Sequence, residues 1–144
     1  IACRAGWIDE LVNLQIATNF GGPGPLASEL IAGVLSGGSY RKHLQEVTTR
    51  LDRARKEAVE RLATLGIVPW QVPRGGFYLW CRLPDGVDST LLTRRCREEG
   101  VILAPGNVFS VSQTAGAFLR FNVAHLSDAR IYGVLKRAIA EQHR

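Results

Sequence analysis

Methionine is absent from the sequence, position 1 included, which is the expectation for a piece of a longer polypeptide. No apolar run reaches the roughly 18 residues that a membrane-spanning helix needs, so no contact with membranes is expected. The first residues carry neither the charge pattern nor the apolar stretch of a signal peptide. Cysteine is scarce: Cys3, Cys81 and Cys96 are too scattered for a disulfide framework or a structural zinc site. They read as reduced thiols in an intracellular, cytoplasmic setting. His43, His125 and His143 have no partner at ligand spacing, so no metal site is expected. Nucleophile elbow, Walker motif and dinucleotide fingerprint are all missing. Lysine is rare as well. Of 18 basic residues only Lys42, Lys56 and Lys136 are lysines, and the rest are arginines spread among acids. The net charge is +5, and the arginine excess reads as genomic composition or interface chemistry rather than a nucleic-acid footprint, although arginine does suit phosphate and carboxylate binding.

What is present describes a globular chain. Its 144 residues are 46% hydrophobic and 22% charged, enough for one real core. Up to about Gly66 the pattern is helical, interrupted by Gly and Pro. Ile8, Leu11, Val12 and Leu14 mark a first helix. The stretch from Phe20 to Pro25 is expected to be a loop. Leu26, Leu30, Ile31, Val34 and Leu35 mark a second helix that stops at Gly37-Gly38. Ser39 is expected to cap the longest element, which runs to about Leu65 on the stripe Leu44, Val47, Leu51, Ala54, Ala58, Leu62 and Leu65. Its opposite faces carry the charges, Arg55 among them. A helix of about 40 Å is long for so small a domain, and suggests that one end packs on something absent from the chain.

Beyond Gly66 the period changes to that of strands. Ile67 to Val72 reads as a short strand, Pro73 to Gly76 as a turn, and Phe77 to Leu83 as the clearest strand. Asp88 caps a helix with Leu91, Leu92 and Cys96 on one face, ended by Gly100. Val101 to Ala104 is a buried strand candidate broken by Pro105-Gly106. Phe118 to Ala124 is a strand with Phe118, Arg120 and Asn122 on one side, and Ser127 caps a closing helix striped by Ile131, Val134, Leu135, Ala138 and Ile139. The expected fold class is α+β: a two-layer small domain whose mostly antiparallel sheet is covered by helices and entered by a long helix. Arg120 stands out because a guanidinium inside a strand needs a partner. It either meets an internal acid, lies on a solvated face, or grips a carboxylate or phosphate through paired hydrogen bonds. Arg4, in an apolar neighbourhood near the start, raises the same question.

Four motifs, in one order, carry a resemblance. Arg4-Ala5-Gly6-Trp7-Ile8 resembles the segment after the cofactor lysine in pyridoxal-phosphate enzymes of the aspartate-aminotransferase fold. Gly75-Gly76-Phe77-Tyr78-Leu79-Trp80 resembles their glycine-pair strand. Leu103-Ala104-Pro105-Gly106 with Phe109 resembles the loop leading to their substrate site, and Phe118-Leu119-Arg120-Phe121-Asn122 the strand bearing the substrate-carboxylate arginine. Tyr40-Arg41-Lys42-His43-Leu44 before an arginine-rich helix is most similar to the aminotransferase-like module of GntR-type transcription regulators of the MocR subfamily. Ile1-Ala2-Cys3 departs from the Pro-Gly-Leu of many relatives.

This resemblance implies the C-terminal small domain of a fold-type-I, pyridoxal-phosphate-dependent architecture. Residues 1–38 would lead from a missing large domain, and residues 39–144 would form the small domain. Arg4 would bind the phosphate of pyridoxal 5'-phosphate, and Arg120 the carboxylate of an amino acid or 2-oxo acid. The lysine that carries the cofactor would lie upstream, since Lys42, Lys56 and Lys136 do not match it; the segment alone would hold no cofactor and no catalytic residue. The full protein would be a homodimer that touches DNA only through a missing N-terminal winged helix, and senses cofactor or amino acid. The alternative is the small domain of a catalytic aminotransferase, and a third reading is a free-standing interaction domain.

Overall fold

The computed structural model describes residues 3–19 and 24–143, and its chain divides into two compact units, Ile1–Leu44 and Gln45–Arg144. In the first unit, α1 covers Ala5–Asn19 and α2 covers Pro25–Ser36. The expected loop falls mostly outside the described residues, at 20–23; its last residue, Pro25, opens α2, a position where the missing N–H costs nothing. Trp7, Ile8, Val12, Leu14 and Ile16 of α1 are exposed, and α2 buries no residue at all.

The helix α3 spans Ser39–Ala63. Ser39 is its first helical residue rather than its cap, and the Gly38 carbonyl takes the Lys42 N–H at 3.4 Å. Its first turns leave Tyr40 and Leu44 exposed, whereas Ala58 and Leu62 are buried. The helix stops short of Leu65, whose N–H folds back onto the Leu62 carbonyl at 3.0 Å. One expectation fails here. Arg55 is not on a solvated face but is buried beside Ala58 and Leu62.

The second unit is built on four strands, β1 (Val68–Pro69), β2 (Tyr78–Arg82), β3 (Ala104–Pro105) and β4 (Phe118–Asn122). Their order is β1-β2-β4-β3, with every pair antiparallel. Leu79 faces Phe121 and Cys81 faces Leu119 across the centre, and all four side chains are buried. Alternation sends Tyr78, Trp80, Arg120 and Asn122 to the opposite side. The inner face shares one core with Ala58 and Leu62 of α3, with Leu92 and Cys96 of α4 (Ser89–Glu98), and with Val134, Leu135, Ala138 and Ile139 of α5 (Ala129–Gln142). Each such Leu or Ile, fully buried, contributes about 1.5–3 kcal/mol of transfer free energy. The result is the two-layer α+β arrangement that the sequence predicts.

Edges depart more from expectation. The strand expected over Ile67 to Val72 pairs at two residues only, extended by the Trp70 N–H on the Trp80 carbonyl at 2.8 Å. Phe77 lies outside the ladder and is exposed. Of the segment Val101 to Ala104 only Val101 is buried, while Ile102 is 86% exposed. This segment reaches the ladder only at Ala104 and Pro105, at an edge where proline is tolerated. Leu91 is exposed because the buried face of α4 runs through Ser89, Leu92 and Cys96, one helical step away. β4 ends at Asn122, whose side chain caps a 3-10 turn over Val123–His125. Asp128, not Ser127, caps α5 by accepting the Arg130 N–H at 2.8 Å; both neighbours are good caps, and the carboxylate takes the position.

Asp88 caps α4 as expected, accepting the Thr90 and Leu91 N–H groups at 2.9 Å each. Glu99, badly placed for the dipole of that helix, is answered by Arg137 at 2.5 Å. That guanidinium holds the Glu99 carboxyl below its usual range. Burial pushes the Cys81 thiol up to about 12 and the Cys96 thiol up to about 11. Among the described residues, no helix is long and apolar enough to cross a membrane.

Candidate functional site

Arg120 occupies the middle of β4, between Trp80 of β2 and Ala104 of β3, on the face away from the helices. It is half-buried, and no described carboxylate pairs with it. Aromatic rings replace the missing acid. The guanidinium carbon lies 4.2 Å from the Tyr78 ring centroid and 3.9 Å from that of Phe109. Such contacts attract the cation without drawing on its N–H groups as hydrogen-bond donors to an acid. Trp80 meets Phe109 edge-on at 6.0 Å and stacks on Phe118 at 5.4 Å, so the surrounding floor is aromatic. An open cavity of about 460 Å³ borders the guanidinium, with Tyr78, Asn122, His125, Asp128 and Arg130 on its wall.

Local sequence explains how each ring arrives. Phe109 ends a 3-10 turn, Gly106–Phe109, that directly follows β3. Gly106 is buried so tightly that a Cβ there would lie 2.2 Å from the Ala115 carbonyl oxygen. The Asn107 side chain pins the same turn by accepting the Ala115 N–H at 2.9 Å. Tyr78 opens β2 just after a turn at Gly76, whose φ of 79° few other residues adopt. The Gly76 carbonyl accepts a 2.8 Å hydrogen bond from Arg55 Nη1, and Asp52 pairs with the other arm of that guanidinium.

Arg55 is the residue that sequence reasoning missed. Its signal was the spacing itself: it follows Leu51 by four and precedes Ala58 by three and Leu62 by seven, which sets it on the core stripe. Arg4 lies in the first unit, exposed ahead of α1, with its guanidinium carbon 5.8 Å from the Trp7 ring and its carbonyl taking the Trp7 N–H at 2.9 Å. Lys42, Lys56 and Lys136 are exposed on helices, as are His43, His125 and His143 on the surface.

Residues 1–137 match the family of class I and II aminotransferases. The chain belongs to that family. Among curated proteins, this aminotransferase-family chain is 25% identical over 133 residues to the uncharacterized HTH-type transcriptional regulator YdfD of Bacillus subtilis, covering 86% of the chain and 27% of that protein. It is 28% identical to the regulator YisV of the same organism, covering 87% and 28%. Aromatic-amino-acid aminotransferase 1 of Thermococcus litoralis is 29% identical over 72% of the chain and 25% of its own length. The chain thus spans about a quarter of the curated relatives it matches. Among solved structures, alpha-aminoadipate aminotransferase LysN of Thermus thermophilus, complexed with N-(5'-phosphopyridoxyl)-L-leucine, gives a TM-score of 0.78 at 24% identity, over 99% of this chain and 37% of that one. The aromatic aminotransferase of Pyrococcus horikoshii gives 0.71 at 26%, over 99% and 36%. The fold is that of the fold-type-I pyridoxal-phosphate aminotransferases.

Proposed function

We propose that this chain is the C-terminal part of a GntR-type transcription regulator of the MocR subfamily, whose aminotransferase-like module binds pyridoxal 5'-phosphate and an amino acid or 2-oxo acid. Residues 39–144 form its small domain, and residues 1–38 lead from a large domain that supplies the cofactor lysine. The observation that carries the reading is the Arg120 guanidinium, in contact with two rings at an open cavity and in ion-pair contact with no described carboxylate. Carboxylate recognition through two parallel N–H bonds suits a guanidinium so placed. Arg4 takes the cofactor phosphate. The cofactor, once bound, supplies the electrophilic chemistry toward amino groups; this chain's residues bind and orient, and none of its described lysines carries a covalent step.

The match to HTH-type regulators over most of the chain supports regulation rather than metabolism as the output. The full protein works as a cytoplasmic homodimer, and DNA is contacted through an upstream winged helix alone. Fluorescence anisotropy of the full-length protein on its promoter DNA tests this. Addition of pyridoxal 5'-phosphate with a panel of L-amino acids should change the affinity, and Arg120→Ala should abolish the amino-acid response. Rapid multiple-turnover transamination with no effect on DNA would instead establish the catalytic aminotransferase reading.

A further inference from the structure

We propose that Arg55 is a positioning residue for the Arg120 site: by holding the Gly76 carbonyl it fixes the turn that sets the Tyr78 ring against the Arg120 guanidinium. The inference rests on the reading of Arg120 as the carboxylate grip. Arg55 is the one charged side chain buried among the described residues, 7% exposed. Taking a guanidinium out of water costs several kcal/mol, and an apolar residue at such a core position is often as stable or more so. Packing alone therefore does not account for an arginine there.

Its hydrogen bonds do. Asp52 pairs with one arm, and the other donates to Gly76 O at 2.8 Å across 21 residues of sequence. Among the described residues, no other hydrogen bond reaches residues 71–76, from backbone or side chain. Packing does not hold the glycines either, since a Cβ on Gly75 or Gly76 would meet nothing within 4 Å. Gly76 hangs on one tether. Immediately after it, the Phe77 carbonyl accepts the Val123 N–H at 2.9 Å, and Tyr78 begins β2 with its ring 4.2 Å from the Arg120 guanidinium carbon. Releasing Gly76 frays the entry to β2 from its first residue. Arg120 then loses one of its two ring contacts and is less firmly held at the cavity.

The test uses the full-length protein without any carboxylate present. Arg55→Leu fills the space and removes the tether; Arg55→Lys keeps a cationic donor group. Phenylglyoxal modifies accessible arginines, and mass mapping reads the rate at each position. In Arg55→Leu the rate at Arg120 should rise about tenfold, the scale of one lost charge-assisted hydrogen bond, while exposed Arg82 keeps its rate. Trypsin should also cut faster after Arg74, inside the released turn. Arg55→Lys should hold both rates close to those of the parent. An unchanged rate at Arg120, or an equal rise at Arg82, overturns the proposal. Should the leucine variant fail to fold, Arg55→Gln, too short to reach Gly76, carries the same expectations. Failure of Arg120→Ala to weaken carboxylate binding would remove the carboxylate reading without altering this reactivity comparison, so the two failures are distinguishable.

Discussion

Gly106→Ala should damage both the fold and the site, although it adds a single methyl group. An ideal Cβ at Gly106 lies 2.2 Å from the Ala115 carbonyl oxygen, 2.8 Å from the Phe118 carbonyl oxygen and 3.0 Å from the Phe118 Cβ. A relaxed contact needs roughly 3.5 Å, so the backbone must open by about 1 Å. Two of these neighbours are main chain, and Phe118 begins the strand that carries Arg120. Relief by a side-chain rotation is not available. Overpacking of this kind costs about 3 kcal/mol, which for a chain of this size lowers Tm by roughly 6–12 °C. The shift also displaces Phe109, whose ring is 3.9 Å from the Arg120 guanidinium carbon. Equilibrium urea unfolding and thermal melting of the 144-residue chain measure the cost. Gly75→Ala is the control, because its Cβ would meet nothing within 4 Å, and it should stay within about 0.5 kcal/mol of the parent. Equal stability of the two variants would refute the close-packing argument.

Four further outcomes are expected. Asp88→Ala removes an acceptor for two N–H groups at 2.9 Å each and should cost about 1 kcal/mol in urea unfolding. Iodoacetamide at mildly alkaline pH should label Cys3 in the native chain, whereas Cys81 and Cys96 should react only on unfolding. Burial raises both of those thiols above their ordinary 9.0, so their contribution to stability is whole below that pH and declines above it, as the unfolded chain ionises first; melting temperatures from pH 7 to 11 check the sign. Titration of the 144-residue chain with pyridoxal phosphate, then borohydride reduction and mass mapping, should give no stoichiometric label on a single lysine, because Lys42, Lys56 and Lys136 are all exposed on helices.

The core was legible in the sequence because two periods wrote it plainly. Leu79 and Cys81 against Leu119 and Phe121 follow strict alternation, and Val134, Leu135, Ala138 and Ile139 follow the helical stripe. Edges were less legible. Val101 to Ala104 is an apolar run that reads as buried, yet an edge segment has one neighbour, and Ile102 faces outward. Cap identity between Ser127 and Asp128 turned on one residue, a distinction below what pattern can resolve. Arg120 was legible as an arginine in want of a partner. Its aromatic clamp was not, since Tyr78 and Phe109 meet it only after β2, β4 and the turn at Gly106 come together. Arg55 was hidden for a chemical reason: residue type argued for the surface, while its spacing from Leu51, Ala58 and Leu62 argued for the core, and spacing won because the Gly76 carbonyl and Asp52 satisfy its N–H groups.

Carboxylate binding by Arg120 is measured most directly by calorimetry. The full-length protein, loaded with pyridoxal phosphate, is titrated with L-amino acids and 2-oxo acids, and the best-bound one is repeated with Arg120→Ala. Loss of a charged, hydrogen-bonded contact should weaken binding by about 1.5–3 kcal/mol, while affinity for the cofactor changes far less. Equal affinity of the two proteins for that acid would contradict the account.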